Sequence, residues 1–182
     1  GVKIDDKKNS LKIDAKTIVL DRTTNIIKAS DGIKIDDIKN NLRINSDIIV
    51  LDRLNNIVTS PSKSLLTDKN NNLFQSRKFE YKFKKKKIRI FNALISDSQD
   101  NNFEIDTASI DLKSNTLEGK NILINLNNSF LNPDNEPRLK GEKIIYSENT
   151  TQITKGIFTA CKETDKCPPW ELSAEEITHD RI

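Results

Sequence analysis

The 182-residue chain is long enough for one domain, with at most a small appended segment. Hydrophobic residues make up only 35% of it and aromatic residues 5%, which is low for a spherical globule and suits a narrow molecule whose strands cover a slim core. The net charge of +3 is too small to indicate a nucleic-acid partner, and no apolar run approaches the roughly 18 residues of a membrane-spanning helix.

The first part of the chain is an internal repeat. Residues 1–6 (GVKIDD) return as residues 32–37 (GIKIDD), and the sequence IVLDR occurs at both 18–22 and 49–53. Both matches have an offset of 31 residues. A constant offset indicates a duplicated supersecondary unit, which must stack on its neighbour to bury an apolar face. We therefore expect function on an elongated, stacked surface.

Short runs that alternate apolar with polar residues dominate the rest of the chain, which is the period of a half-buried strand. These runs include residues 33–35, 42–44, 79–83, 88–90 and 103–105. The segments between them are rich in Asn, which tolerates left-handed backbone angles in turns. The pattern predicts an all-β protein built from repeated antiparallel hairpins.

The alternation also predicts which side of each strand faces the interior. The residues assigned to the interior are Leu11, Ile13, Val19, Ile33, Ile35, Leu42, Ile44, Ile48, Val50, Phe103 and Ile105. Ile49 and Leu51 have the opposite parity and remain ambiguous, because residues 48–51 are all apolar.

The first strand is predicted to be an open edge. Val2, Lys3 and Ile4 belong to the most regular repeat, have no preceding unit in this chain and include no proline. Their backbone groups should therefore be able to pair with a strand of a partner.

The lysine cluster at residues 84–87 is the sharpest charge feature. It suits the phosphate groups of a nucleic acid or of an anionic lipid, but a solvated turn between two strands explains it as well. The flanking aromatic residues Tyr81, Phe83 and Phe91 are already accounted for as core residues by the alternation. We favour the turn.

Catalytic and metal-binding patterns are absent from the sequence. The paired acids at 5–6 and 36–37 recur with the repeat, which is expected of a turn and not of a catalytic pair. A lone histidine, His179, and two cysteines are too few for a Cys/His zinc site. We expect neither an enzyme nor a cofactor.

The two cysteines lie close together, at Cys161 and Cys167. This spacing differs from the Cys-x-x-Cys of redox motifs, so we predict a local structural disulfide and an oxidising compartment. From Lys155 onward the repeated pattern gives way to one further strand-like run, the cysteine segment and a Pro-Pro-Trp sequence. We therefore divide the chain into a repeated-strand part, 1–154, and a terminal strand with a cysteine-loop cap, 155–182.

The C-terminal part resembles a known family. Residues 155–161 (KGIFTAC), 167–174 (CPPWELSA) and 177–180 (ITHD) look like the end of the periplasmic domain of the LptD, or OstA, family of lipopolysaccharide-assembly outer-membrane proteins. The repeated strands resemble the β-jellyroll that this family shares with periplasmic bridge proteins. The close cysteine spacing departs from the best-known members, whose cysteines lie far apart and join this domain to a membrane barrel.

The resemblance implies an elongated, edge-open antiparallel β-jellyroll on the periplasmic side of the outer membrane of a Gram-negative bacterium. Its interior would be a groove for the lipid A acyl chains of lipopolysaccharide, lined by the residues assigned above to the interior. Implied partners are an LptA-type bridge protein, docked by β-augmentation, and, in a full-length protein, the membrane barrel and its plug lipoprotein. No nucleic acid is implied.

Two alternatives remain open at this point. One is a structural β-solenoid, such as an adhesin fragment, which would have a closed stack and a dry, filled core. The other is a free-standing bridge protein of the LptA type. An open groove long enough for an acyl chain favours transport over the solenoid.

Overall fold

The computed structural model describes residues 1–7, 9–97, 100–127, 135–147, 149–162, 164 and 170–180. This part of the chain contains fourteen β-strands and one turn of 3₁₀ helix, Phe83–Lys85. The strands are β1 (Val2–Asp6), β2 (Leu11–Ala15), β3 (Thr17–Asp21), β4 (Ile26–Asp37), β5 (Leu42–Asp52), β6 (Ile57–Ser60), β7 (Ser64–Thr67), β8 (Leu73–Lys82), β9 (Lys87–Ser96), β10 (Asn102–Asp111), β11 (Thr116–Asn125), β12 (Arg138–Tyr146), β13 (Thr150–Thr159) and β14 (Leu172–Asp180). The described residues include no helix of the length and apolarity that crossing a membrane requires.

The strands form one antiparallel sheet in the order β1-β2-β4-β5-β6-β8-β9-β10-β11-β12-β13-β14. β3 pairs with β4, and β7 pairs with β5 and β8. Thus β2 and β3 act as one strand interrupted in the middle, and β6 and β7 do the same. The all-β prediction is confirmed. Because strands that follow one another pair antiparallel, the sheet is a folded meander and not a β-solenoid.

Each long strand bends near its middle. In β9 the buried residues Ile88 and Ile90 are followed by Ala93 and Ile95, so the spacing is two within each half and three across the bend. Asn92 occupies the bend with a φ of 48°. Pairing with β8 and β10 skips this position. Neighbouring bends therefore line up and crease the sheet into two leaves.

The two leaves face each other across the interior. Leaf 1 comprises β1, β2, β7 and the halves of long strands beside the connections β4–β5, β7–β8, β9–β10, β11–β12 and β13–β14. Leaf 2 comprises β3, β6 and the halves beside the connections β3–β4, β5–β6, β8–β9, β10–β11 and β12–β13. Buried side chains of both leaves form one hydrophobic cluster. The crease closes one side of this interior, and the two rows of connections form the opposite side.

Small inward residues allow the sheet to crease. In the later strands Gly119 lies between Ala108 and Ile144, and Gly141 lies opposite Ile122. A Cβ atom on Gly141 would lie 2.3 Å from Cγ2 of Ile153, which is closer than packed carbon atoms approach. Glycine at position 141 therefore allows the backbone of β12 to lie close to the side chain of Ile153 in β13.

The bend overturns three interior assignments. Val19 and Ile48 are 58% and 45% exposed, and Val50, which shares the parity of Ile48, is only partly buried. Ile49 and Leu51 are buried instead. The prediction was wrong because it carried the parity of leaf 1 across the crease, where the three-residue spacing moves the opposite parity to the interior.

The recurring acids build turns, as their repetition predicted. The carboxylate of Asp6 accepts hydrogen bonds from the backbone and side-chain nitrogens of Asn9, and Asp37 does the same with Asn40, one repeat later. A side chain that satisfies both groups fixes the turn geometry. The 31-residue offset therefore preserves the turns as well as the strands.

The boundary expected near Lys155 falls inside β13. Lys155 has a φ of 51° and marks the bend of that strand. The residues before and after it pair with both β12 and β14, so the sheet continues past this position.

Candidate functional site

A cleft of about 230 Å³ lies between the leaves in the C-terminal half of the sheet. Its walls are alternate residues of β8 to β12, which the strand period turns to the interior. The apolar wall residues are Phe74, Ile95 and Phe103 on leaf 1 and Ile110, Leu117, Ile144 and Tyr146 on leaf 2. An apolar cavity of about 150 Å³ can hold a molecule such as benzene, so this cleft has room for a segment of hydrocarbon.

One aromatic pair spans the cleft. The rings of Phe103 on leaf 1 and Tyr146 on leaf 2 have centroids 6.0 Å apart at an interplanar angle of 84°. This edge-to-face contact joins the leaves through side chains alone.

The rim of the cleft on leaf 1 consists of Asp-Asn connections. The carboxylate of Asp68 accepts hydrogen bonds from the backbone and side-chain nitrogens of Asn72 at 2.9 and 2.8 Å. Asp97 binds Asn101 in the same way, at 3.0 Å for both bonds. These carboxylates hold the backbone and leave the rim polar and acidic.

The rim on leaf 2 is the β10–β11 turn. Asp111 accepts hydrogen bonds from the backbone N–H groups of Lys113 and Ser114 at 2.9 and 3.4 Å, and Nζ of Lys87 lies 3.5 Å from its carboxylate. These contacts lower the pKa of Asp111, and the hydrogen bond from the N–H of Lys113 is the largest cause. The carboxylate is thus already engaged within the protein.

Toward the N-terminal half, a buried polar contact joins the leaves. The hydroxyl of Tyr81 on leaf 2 donates a hydrogen bond to the carboxylate of Asp37 on leaf 1, and Asn40 donates to both, at 2.8 and 2.7 Å. Burial, followed by the contact with Asp37, raises the pKa of the Tyr81 hydroxyl. We call these three residues the latch. The cleft opens on the C-terminal side of it.

A larger depression, about 890 Å³, lies on the outer face along the crease. Charged and amide side chains of the bends form much of its lining, including Arg77, Asp106, Glu142 and Lys155. Lys155 and Glu142 form an ion pair at 3.0 Å. The depression lies on the outer face and is the more open to solvent of the two, so the smaller cleft between the leaves is the better candidate.

The predicted interior residues occupy two different places. Six of them fill the core of leaf 1 on the N-terminal side, each at most 2% exposed: Leu11, Ile13, Ile33, Ile35, Leu42 and Ile44. Phe103 lies in the wall of the cleft, and Ile105 is buried near the crease. Sequence reasoning missed the other wall residues because they belong to the eroded repeats. Their alternation, as in residues 110–112, was the available signal.

The predicted docking residues lie on an edge strand. Among the described strands, β1 pairs only with β2 and stands at one end of the strand order, with β14 at the other end. Val2 is 46% exposed, and Ile4 packs against the core. Lys3 forms an exposed ion pair with Asp14 at 3.5 Å. Among the described residues, no strand pairs with the outer backbone edge of β1, so docking there stays a prediction.

The predicted disulfide cannot be placed in the fold. Cys161 is buried, its N–H donates to Oγ1 of Thr159 at 3.2 Å, and its sulfur lies 3.7 Å from the carbonyl oxygen of Trp170. Cys167 lies outside the described residues, so its pairing with Cys161 stays a prediction. Within the described part of the chain, no three His, Cys, Asp or Glu residues cluster as metal ligands would.

Comparisons with known proteins identify the fold. No family model matches the chain, and no curated protein matches it. Among solved structures, it is similar to LptH of Pseudomonas aeruginosa, the LptA-homologous periplasmic component of the lipopolysaccharide transport device. The TM-score is 0.52 at 13% identity, over 63% of this chain and 84% of LptH. The fold is an LptA-like β-jellyroll.

Proposed function

We propose that this chain carries lipopolysaccharide through the periplasm toward the outer membrane, with lipid A acyl chains held between the two leaves. The observation that carries the proposal is the apolar cleft, walled by Phe103, Ile144, Tyr146 and their neighbours and open at a polar rim. The likeness to LptH adds support, because that protein belongs to a lipopolysaccharide transport device.

The energetics of the cleft suit a passive carrier. Each methylene group moved from water into an apolar site gains about 0.8 kcal/mol, so a short acyl segment suffices for binding. The absence of a covalent step means that the chain needs no catalytic residue for this role. Movement along the groove requires an energy source elsewhere in the pathway.

Docking by strand addition completes the proposal. The free edge of β1 would pair with the last strand of an LptA-type bridge protein, or with another copy of this chain, through Val2, Lys3 and Ile4. β14 supplies the opposite edge. Joined rolls would then form a longer path for the lipid.

The finer assignment is the periplasmic domain of an LptD-like protein, with a membrane barrel and plug lipoprotein as further partners. The residues that support it are the segment from Cys161 to Trp170. A free-standing LptA-like bridge protein is the second candidate, and the likeness to LptH is equally compatible with both. Translating the gene beyond Ile182 distinguishes the two, since barrel strands would follow only in an LptD-like protein.

A matched pair of adjacent residues tests the lipid site. Ile144 is 1% exposed and lines the cleft, whereas Ile145 is 48% exposed on the outer face of the same strand. We expect a small diazirine amino acid at position 144 to crosslink to lipopolysaccharide on irradiation, and the same group at 145 to crosslink weakly. Equal labelling at both positions, or none at 144 in a folded protein, contradicts the proposal.

A further inference from the structure

The lysine cluster forms the turn between β8 and β9, as the sequence favoured. Phe83 is buried under the turn, and Lys86 closes it with a φ of 56° and an N–H bond to the carbonyl of Phe83 at 3.2 Å. Lys84 and Lys85 are exposed. The turn is therefore fixed at its base and free at its charged tips.

This turn adjoins the mouth of the cleft. The N–H of Leu112, a residue that lines the cleft, donates to the carbonyl of Lys86 at 2.8 Å. Lys87 forms its ion pair with Asp111 in the same turn as Leu112. The β8–β9 and β10–β11 turns thus form one continuous stretch of the leaf 2 rim.

The charge of this stretch is unbalanced. Residues 84–87 and 111–116 contain five lysines and one aspartate, and Lys87 already neutralises that aspartate. Among the described residues, no ion pair involves Lys84, Lys85, Lys86 or Lys113. The leaf 1 rim has the opposite balance, because residues 68–72 and 97–101 contain three aspartates and one lysine. An anion at the mouth is therefore attracted to leaf 2 and repelled by leaf 1.

We propose that Lys84, Lys85, Lys86 and Lys113 bind the phosphate of a lipid headgroup while the acyl chain of that lipid enters the cleft beside Leu112. The inference deepens the proposed function and rests on it. A nucleic acid fits less well, because Tyr81 and Phe83 are 0% and 5% exposed and offer no face on which bases can stack.

The test compares two variants with the same loss of charge. The rim variant is Lys84→Gln/Lys85→Gln/Lys113→Gln, and the control is Lys12→Gln/Lys28→Gln/Lys34→Gln, three exposed lysines on other surfaces. Lys86 is left unchanged because of its left-handed backbone. Binding of dodecyl phosphate and of dodecyl maltoside is measured below their micelle concentrations, along with inorganic phosphate and a single-stranded oligonucleotide.

We expect the rim variant alone to bind dodecyl phosphate about tenfold more weakly, as three exposed charge contacts predict, with maltoside binding unchanged. Equal dodecyl phosphate binding by rim variant, control and parent overturns the rim inference, and the cleft proposal survives if the maltoside still binds. Failure of both amphiphiles to bind the parent overturns the cleft itself. Binding of inorganic phosphate or of the oligonucleotide to the parent as tightly as dodecyl phosphate shows a phosphate or nucleic-acid site without a contribution from the acyl chain, and also overturns the inference.

Discussion

The latch makes a quantitative prediction about how the two leaves are held together. Replacing Tyr81 with Phe keeps the buried ring and removes one hydroxyl, which donates to Asp37 and accepts from Asn40 at 2.8 Å. Asp37 is only 2% exposed, so solvent replaces the lost bond poorly. Hydrogen bonds to a charged group contribute about 1.5–3 kcal/mol, and we expect Tyr81→Phe to lower the free energy of unfolding by that amount.

A second aspartate provides the matched control. Asp52 accepts hydrogen bonds from the backbone and side-chain nitrogens of Asn55 at 2.9 and 2.7 Å, nearly the geometry of Asp37 with Asn40. Within the part of the chain that the structure describes, no residue of the opposite leaf donates a hydrogen bond to Asp52. Asp37→Asn and Asp52→Asn thus alter two turns of the same kind, of which only the first belongs to the latch. We expect Asp37→Asn to cost more, and the pair Tyr81→Phe/Asp37→Asn to show a coupling of about 1–2 kcal/mol.

The assay is equilibrium unfolding in urea at neutral pH, with a midpoint shift and an unchanged slope as the signature of lost stability. A Tyr81→Phe variant within about 0.5 kcal/mol of the parent would refute the latch. So would equal costs for Asp37→Asn and Asp52→Asn.

Four further outcomes are expected. Because burial raises the pKa of Tyr81 above its ordinary value of 10.0, only the unfolded chain ionises it just above that pH, and unfolding titrations should show the parent losing more stability than Tyr81→Phe from about pH 10 upward. Gly141→Ala should cost about 1–3 kcal/mol in urea unfolding through overpacking. Ile49→Asp should prevent or severely weaken folding by circular dichroism, while Ile48→Asp stays within about 0.5 kcal/mol of the parent. Ile4→Pro should weaken binding to a bridge protein in pull-down titrations without unfolding the domain, and unchanged binding contradicts docking at β1.

The local features of the fold could be predicted because they depend on neighbouring residues. Alternation over a few positions predicted the strands, and the recurrence of Asp6 at Asp37 predicted the turns. Both signals act within one hairpin, where the period of two and the Asp-Asn hydrogen bonds decide the structure.

The crease could not be predicted from the same signals. Asn92 and Asn121 resemble any other exposed polar residues in a strand, and only their positive φ values mark the bend. Ile48 and Ile49 are equally apolar, so the sequence gives no local reason to choose between them. The three-residue spacing across the bend is the missing information.

The cleft depends on contacts that are distant in sequence. Tyr81 and Asp37 are 44 residues apart, and Phe103 meets Tyr146 only because the creased sheet brings the leaves together. The repeat is also eroded in this region. The sequence analysis therefore assigned the groove mainly to the regular first units and overlooked the wall residues of the later strands. In the structure, the interior of the first units is a core filled with side chains.

The position of a bound acyl chain tests the central claim most directly. A lipid A analogue with bromine at the end of one acyl chain, co-crystallised with the protein, can be located by anomalous diffraction. We predict a bromine peak between the leaves, within the wall that includes Phe103, Ile144 and Tyr146. A peak on the outer depression beside Arg77 and Lys155, with the cleft closed and empty, would contradict the account.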